Sequence, residues 1–181
     1  SVTFDRVYAN NNGDTGIYFD RKIAYAEQGS AYVDLHNVTA SENSDSGVYA
    51  YGGAYAAANP ARDNGLVNIE ALFNVTDLQV NDNGEHGFYI DEEAAAAEYG
   101  SAETHCTTVH ARDNGEYGVY VGGGEDVSSV RAGGPNADAW LTMNDVHAWY
   151  NGYEGIYLAK VRSDDGSAYA HFNGVTASEN G

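Results

Sequence analysis

The sequence predicts an all-β fold in which about five coils, each of three short strands, stack into a solenoid. Two observations support this prediction. A segment such as Val109–Val121 recurs along the chain, and within each copy apolar and polar residues alternate with a period of two, as in strands that bury one face. The copies start at these anchor residues: Val7, Val38, Leu78, Val109, Val146 and Val175.

Aligning the copies on their anchors reveals columns of identical residues. The column five residues after the anchor is always asparagine: Asn12, Asn43, Asn83, Asn114, Asn151 and Asn180. A glycine and then a tyrosine follow at fixed spacing in every copy that continues far enough, as in Gly118 and Tyr120. Since one copy cannot bury its apolar face alone, copies are expected to stack with like residues over like. The asparagines then form a structural ladder of amide hydrogen bonds.

The pattern Asn-x-x-x-Gly-Ile/Val-Tyr after an alternating strand resembles the right-handed parallel β-helix repeats of the pectate-lyase-like superfamily. The resemblance covers essentially the whole chain. It implies a right-handed parallel β-helix solenoid, with residues 1–181 forming a single domain or a fragment of a longer repeat array. It says little about activity, because this fold carries lyases, hydrolases, epimerases, tailspikes and adhesins.

Each repeat is longer than the minimal coil of about 22 residues, which predicts lateral loop insertions after the tyrosine strand. These insertions are Asp20–Ser30, Tyr51–Asn68, Asp91–Ser101, Gly122–Asp138 and Ala159–Ser167. The third begins with acidic residues, continues with four alanines and ends at Gly100, a pattern that predicts a short helix.

Composition limits the choice of partners. The chain has 181 residues and a formal net charge of −19, with 8 Lys and Arg against 27 Asp and Glu. So acidic a surface argues against nucleic acid as a partner, and no apolar run is long enough to span a membrane. The acidity fits calcium binding, a high-salt habitat or plain solubility.

One candidate catalytic or metal site lies beside the anchors. His110 and His147 follow adjacent anchors, Asp145 precedes one of them, and Arg112 is the nearest cation. Two histidines and a carboxylate could ligate a transition metal or share acid–base chemistry. The alternative is a pair of solvated histidines on an acidic strand face. Neither the Arg-x-Lys nor the Asp-Pro-His pattern of the superfamily's enzymes occurs, which argues against catalysis.

Acidic residues in the predicted insertions form the second candidate site. Calcium prefers clustered oxygen ligands, so neighbouring loops could gather Ca²⁺, although no calcium-loop motif is present. The alternative is a solvated acidic surface. The residues are Asp91, Glu92, Glu93, Glu125, Asp126, Asp164 and Asp165.

Aromatic columns form the third candidate. The column six residues before the anchor contains Tyr32, Trp140 and Tyr169, which could stack sugar rings if they are exposed. The repeat tyrosines are expected to stack mainly as packing. Cys106, the one cysteine, falls in an inward column and is expected to be a buried, unreactive thiol.

These observations favour a non-catalytic structural or adhesive module of a secreted or cell-surface repeat protein. Its expected partners are further copies or flanking repeats, with end-to-end assembly into a filament. The alternatives are a carbohydrate-active enzyme, similar to a polysaccharide lyase or epimerase, and a calcium-stiffened segment that binds polysaccharide.

Overall fold

The computed structural model describes residues 1–27, 29–57, 69–122, 130–133 and 137–181. These residues form strands and no helix. The strands are β1 (Val2–Tyr8), β2 (Ile17–Ala26), β3 (Ser30–Thr39), β4 (Val48–Ala56), β5 (Glu70–Asn81), β6 (Phe88–Ile90), β7 (Ala95–Ala97), β8 (Gly100–Arg112), β9 (Val119–Val121), β10 (Val130–Ala132), β11 (Ala137–Trp149), β12 (Ile156–Leu158), β13 (Val161–Ser163), β14 (Ser167–Asn173) and β15 (Thr176–Ser178).

The first sheet, sheet 1, has seven strands in the order β1-β3-β5-β8-β11-β14, with β15 beside β11. Its pairings are parallel and follow the repeat columns, so that Val38 lies beside Leu78 and Val109 beside Val146. The prediction that like residues lie next to like is therefore confirmed for these strands.

The second sheet, sheet 2, has eight strands in the order β12-β9-β6-β4-β7-β10-β13, with β2 beside β4. It contains two rows of strands that meet at β4. Residues 48–50 of β4 pair with the tyrosine strand β6, whereas residues 54–56 pair with β7. All described pairings in this sheet are also parallel.

The prediction of a right-handed parallel β-helix solenoid, with coils of three short strands, is wrong, and the resemblance to the pectate-lyase-like superfamily that implied it does not hold. The all-β class and the parallel pairing hold, but the strands form two sheets, one of them curled, instead of a solenoid of coils. One physical reason lies in the long strands of sheet 1. A coil of three short strands needs corners between them, but β5 runs without a break from Glu70 to Asn81, and within it only Asp77 takes a positive φ, of 55°.

The predicted helix in the third insertion is also wrong. Ala95–Ala97 form strand β7, which lies between β4 and β10 in sheet 2. All three side chains are fully buried. Burial and pairing here outweigh the helix preference of alanine. The fourth and fifth insertions likewise supply strands β10 and β13.

The core combines residues of both sheets. Phe73 and Leu78 of sheet 1 and Phe88 and Ile90 of sheet 2 are fully buried in one apolar cluster. Burying each such side chain contributes about 1.5–3 kcal/mol. Cys106 belongs to the same cluster, as expected for an unreactive thiol.

The described residues contain no helix with the length and apolar character needed to cross a membrane.

Candidate functional site

The asparagine column forms a continuous row of hydrogen bonds. Asn83 donates from Nδ2 to Oδ1 of Asn114 over 2.9 Å and to the carbonyl oxygen of Ala40 over 3.2 Å. In turn its Oδ1 accepts from Nδ2 of Asn43 over 2.9 Å and from the backbone N–H of the same residue over 3.1 Å. The same amide-to-amide bond links every neighbouring pair from Asn12 to Asn180. The row therefore satisfies backbone and side-chain groups where each long strand ends.

The repeat tyrosines form a second row, on sheet 2. The rings of Tyr18, Tyr49, Tyr89, Tyr120 and Tyr157 stack on one another with centroids 4.5–5.2 Å apart. The hydroxyls of Tyr49 and Tyr89 both donate to Asp91. Burial, together with this carboxylate, raises the pKa of both phenols. Asp91, a calcium candidate, therefore already accepts hydrogen bonds from the tyrosine row.

Glu92 and Glu93, two further calcium candidates, are paired with cations of the chain itself. Lys22 Nζ lies 3.2 Å from Glu92 and 3.0 Å from Glu93, and Arg131 Nε lies 3.2 Å from Glu93. Burial pushes the pKa of Glu93 upward, but Lys22 and Arg131 outweigh this effect and hold it below its usual value. Lys22 also lies over the ring of Tyr55, 4.3 Å from its centroid. This cluster links β2 and β10 to the segment between β6 and β7.

The remaining calcium candidates do not converge. Asp164 pairs with Arg162 over 2.9 Å, and Asp165 is exposed. Glu125 and Asp126 lie outside the described residues. Within the described ranges, no group of three or more potential ligands is placed to hold a metal ion.

The structure does bring His110 and His147 together on the outer face of sheet 1, with ring centroids 5.5 Å apart. Both ring nitrogens of His147 have partners, Asp145 at 2.9 Å and Thr176 at 2.6 Å. Arg112 contacts Asp113 at 2.7 Å. His110 also lines a shallow pocket of about 300 Å³ with His36. This surface is polar and presents hydrogen-bonding groups.

Of the three aromatic candidates, the structure brings two together. Trp140 and Tyr169 stack with centroids 4.2 Å apart and are 38% and 46% exposed. Leu72 and Glu103 lie between Tyr32 and this pair in the same row. Tyr32 instead donates its hydroxyl to Glu70.

Sequence reasoning missed a cleft of about 610 Å³ beside the tyrosine row. Its lining includes the acidic residues Asp14, Asp45 and Glu85 and three tyrosines of the row, Tyr18, Tyr49 and Tyr89. These acids lie seven residues after their anchors, so the alignment that revealed the asparagines also contained this signal.

His86 lies in the same cleft and is 9% exposed. Its ring stacks on Tyr89 with centroids 4.4 Å apart. Within the described residues, its Nδ1 has no hydrogen-bond partner, and the nearest carboxylate oxygen, of Glu116, is 3.6 Å away. Burial lowers the pKa of His86, and the nearby carboxylates offset this only in part.

Comparison with known proteins adds no family assignment. The chain matches no protein-family model, no curated protein and no solved structure. Its function is therefore argued from the surfaces described above.

Proposed function

We propose that the chain is a non-catalytic structural module that is extended by like repeats at both open edges of its sheets. The flanking repeats belong either to the same parent chain or to further copies of this one. The observation that carries the proposal is the exposure of core residues on the terminal strands of sheet 1. Phe4 on β1 and Phe172 on β14 are 37% and 43% exposed, although their column neighbours Leu35 and Met143 are buried.

The edge strand β1 and the opposite edge, formed by β14 and β15, can pair with like residues of the repeat side by side. If β1 of one copy follows β14 and β15 of another, Phe4 lies beside Phe172 and Asn12 beside Asn180. Within the chain, each asparagine donates from Nδ2 to Oδ1 of the asparagine in the following repeat. The row could therefore continue from Asn180 of one chain to Asn12 of the next. In this register Asp5 meets Asn173 and not another charge.

This contact joins two different edges of the chain, so it is heterologous. Heterologous contacts of this kind build open, linear assemblies when their rotation does not form a ring. A rigid stalk or filament follows from such an arrangement. A free edge of unpaired backbone groups is also the usual template for pairing with another strand.

The first experiment is to measure the intact mass of native material and image it by electron microscopy, and to follow sedimentation of the purified chain against concentration. Assembly is expected to strengthen with NaCl, because the net charge of −19 makes copies repel one another. Phe172→Lys should abolish assembly by placing a charge at the apolar edge.

His171→Lys is the matched control, because His171 lies on the same strand but one position away from the inward column. It should leave assembly intact. The proposal fails if native material is a discrete chain of this size that stays monomeric at every concentration and salt level.

A second candidate function is carbohydrate binding at the exposed Trp140–Tyr169 stack, which would make the module adhesive. Trp140→Ala should then abolish quenching of tryptophan fluorescence by a bound polysaccharide. Trp149→Ala, on the same sheet, is the control. Equal loss in both variants would contradict a site at Trp140.

A further inference from the structure

The asparagine row repeats one chemically reactive dipeptide in different surroundings. In five of its six repeats the asparagine precedes a glycine: Asn12, Asn83, Asn114, Asn151 and Asn180. An asparagine in this position is prone to spontaneous deamidation, because glycine has no side chain to shield its own backbone nitrogen and leaves the backbone free to turn. The fold decides which of these asparagines can react.

Deamidation requires the glycine nitrogen to reach the asparagine side chain. The backbone nitrogen loses its proton and attacks Cγ, so that an N–Cγ bond forms. The Cγ–Nδ2 bond breaks, and the amide nitrogen takes up a proton and leaves as ammonia. Water then opens the five-membered ring at either carbonyl and gives aspartate or isoaspartate. Where hydrogen bonds and packing hold the nitrogen in place, ring closure must wait for local opening of the fold.

The interior of the row holds both reacting groups. The N–H of Gly84 donates to the carbonyl oxygen of Asn43 over 2.9 Å, and a Cβ added at Gly84 would collide with the backbone of the preceding repeat. Asn83 is 2% exposed, and both polar atoms of its side chain are hydrogen-bonded. The N–H groups of Gly115 and Gly152 donate in the same way, over 2.8 and 2.9 Å.

Asn12, at one end of the row, lacks this protection. It is exposed, and among the described residues its Oδ1 accepts no hydrogen bond, although its Nδ2 donates to Asn43 over 2.8 Å. Within the same residues the N–H of Gly13 also makes no hydrogen bond, and a Cβ added at Gly13 would meet nothing within 4 Å. The nitrogen of Gly13 can therefore approach Cγ of Asn12 without the opening of a strand.

We propose that Asn12 is a site of spontaneous deamidation in the single chain, whereas the row protects Asn83, Asn114 and Asn151. An ionised aspartate has only acceptor oxygens, so the product can no longer donate to Asn43. Conversion thus removes the first side-chain hydrogen bond of the row. This inference does not depend on the proposed assembly, because all of these contacts lie within one chain.

The test is peptide mapping by mass spectrometry after incubation of the intact chain in mildly alkaline buffer, with and without urea. The rate at each asparagine in the native chain is divided by the rate at the same asparagine in urea, which removes the effect of neighbouring residues. Asn12 should convert within about threefold of its unfolded rate, and Asn83 and Asn114 more than about tenfold below theirs. Mapping also separates Asn64 and Asn173, which precede glycine outside the row.

The native incubation uses a dilute, low-salt sample that sediments as a single chain, so that the β1 edge is free. Gly13→Ala should slow conversion at Asn12, because its methyl group hinders the nitrogen. Near-ultraviolet circular dichroism should not change, since the space around Gly13 is open.

Ser44→Gly is the matched control, because it places the same dipeptide at Asn43, which is 3% exposed. The N–H of residue 44 donates to the carbonyl oxygen of Asn12 over 3.0 Å. Conversion at Asn43 in this variant should therefore be fast in urea and more than about tenfold slower in the native chain. Equal protection of Asn12 and Asn83 in the single chain, or unprotected conversion at Asn43, would overturn the proposal.

Discussion

Asn83 shows how much one side chain does in this fold. It is buried and bonds to neighbours on both sides of its row. Asn83→Ala would leave the amide and backbone N–H of Asn43 without their acceptor. Because unsatisfied buried groups are costly, we expect a loss of about 3 kcal/mol in the free energy of unfolding, measured by urea denaturation.

Asn12→Ala is the natural control, because Asn12 is exposed at one end of the row and donates only to Asn43 among its described side-chain contacts. Its loss should cost about 1 kcal/mol or less. If both variants lose the same stability, the row does not act through buried hydrogen bonds.

His86 should make stability depend on pH. Burial lowers its pKa in the folded chain below the reference of 6.5, so the unfolded chain binds the proton more readily. The contribution of neutral His86 to stability is full above about 6.5 and is lost as pH falls through the folded value. Acid denaturation curves of His86→Phe should therefore show a shallower loss of stability below about pH 6.5.

The phenylalanine in this variant keeps the ring stacking with Tyr89 and removes the unpartnered nitrogen. We expect it to be at least as stable as the original chain at neutral pH. His105→Phe, on a more exposed histidine paired with Glu103, is the comparison. An unchanged pH profile in His86→Phe would contradict the assignment.

At the residue scale, the asparagine row was predictable because every copy has the same amide at the same position. The cleft was not found by the same reasoning. The residue seven positions after the anchor is not constant: it is Asp45 in one copy, Glu85 in the next and Tyr153 in the fifth. In addition, the burial of His86 depends on neighbouring rings that only the folded chain brings together.

At the scale of strands, the register was predictable and the bends were not. Alternation places Val75 and Leu78 in inward columns, and both are buried. A single residue of positive φ separates the two halves of each long strand while pairing resumes on either side. Four residue types occupy this position, so no single type predicts the bend: Arg6, Asn37, Asp77, Thr108 and Asp145.

Strand β4 depends on a close backbone contact at Gly53. A Cβ added there would lie 2.1 Å from the carbonyl oxygen of Ala94, to which the next residue, Ala54, donates its N–H over 2.8 Å. Gly53→Ala must therefore separate β4 from this segment. We expect it to cost about 2 kcal/mol or more, measured as a shift in the urea midpoint.

Gly13→Ala tests whether the cost comes from contact alone, because a Cβ at Gly13 meets nothing within 4 Å. That variant should unfold at nearly the midpoint of the original chain. A similar loss at both glycines would contradict the clash in β4, because alanine restricts the unfolded chain and by itself should stabilise the fold.

For the whole molecule, repetition indicated which strands are neighbours but not how the sheets are arranged. The columns that align Val109 with Val146 are equally compatible with coils and with two extended sheets. The choice between coils and two sheets depends on the path of the chain between strands, and this path runs through the insertions. In the third insertion the four alanines lack the branched and aromatic residues that usually identify strands, so β7 resembled a helix in the sequence.

The charge of the whole molecule predicts a response to salt. With a net charge of −19, the folded chain repels itself, and NaCl should raise its melting temperature by screening that repulsion. Each 1 kcal/mol gained corresponds to about 2–4 °C in a chain of this size. Differential scanning calorimetry at increasing NaCl measures the effect.

Calcium at matched ionic strength should add little through the acids described here, because Glu92 and Glu93 already bind Lys22 and Arg131. A clear additional rise with Ca²⁺ would contradict that expectation. It would direct attention to Glu125 and Asp126, outside the described residues.

The buried thiol on β8 can be used to measure how often the centre of sheet 1 opens. Cys106 is the one cysteine of the chain, it is 1% exposed, and burial raises its pKa to about 12. An alkylating reagent needs the thiolate, so it can modify Cys106 only when β8 separates from its surroundings. The rate of alkylation in native buffer, divided by that of an unstructured thiol, then gives the fraction of time for which the centre of sheet 1 is open.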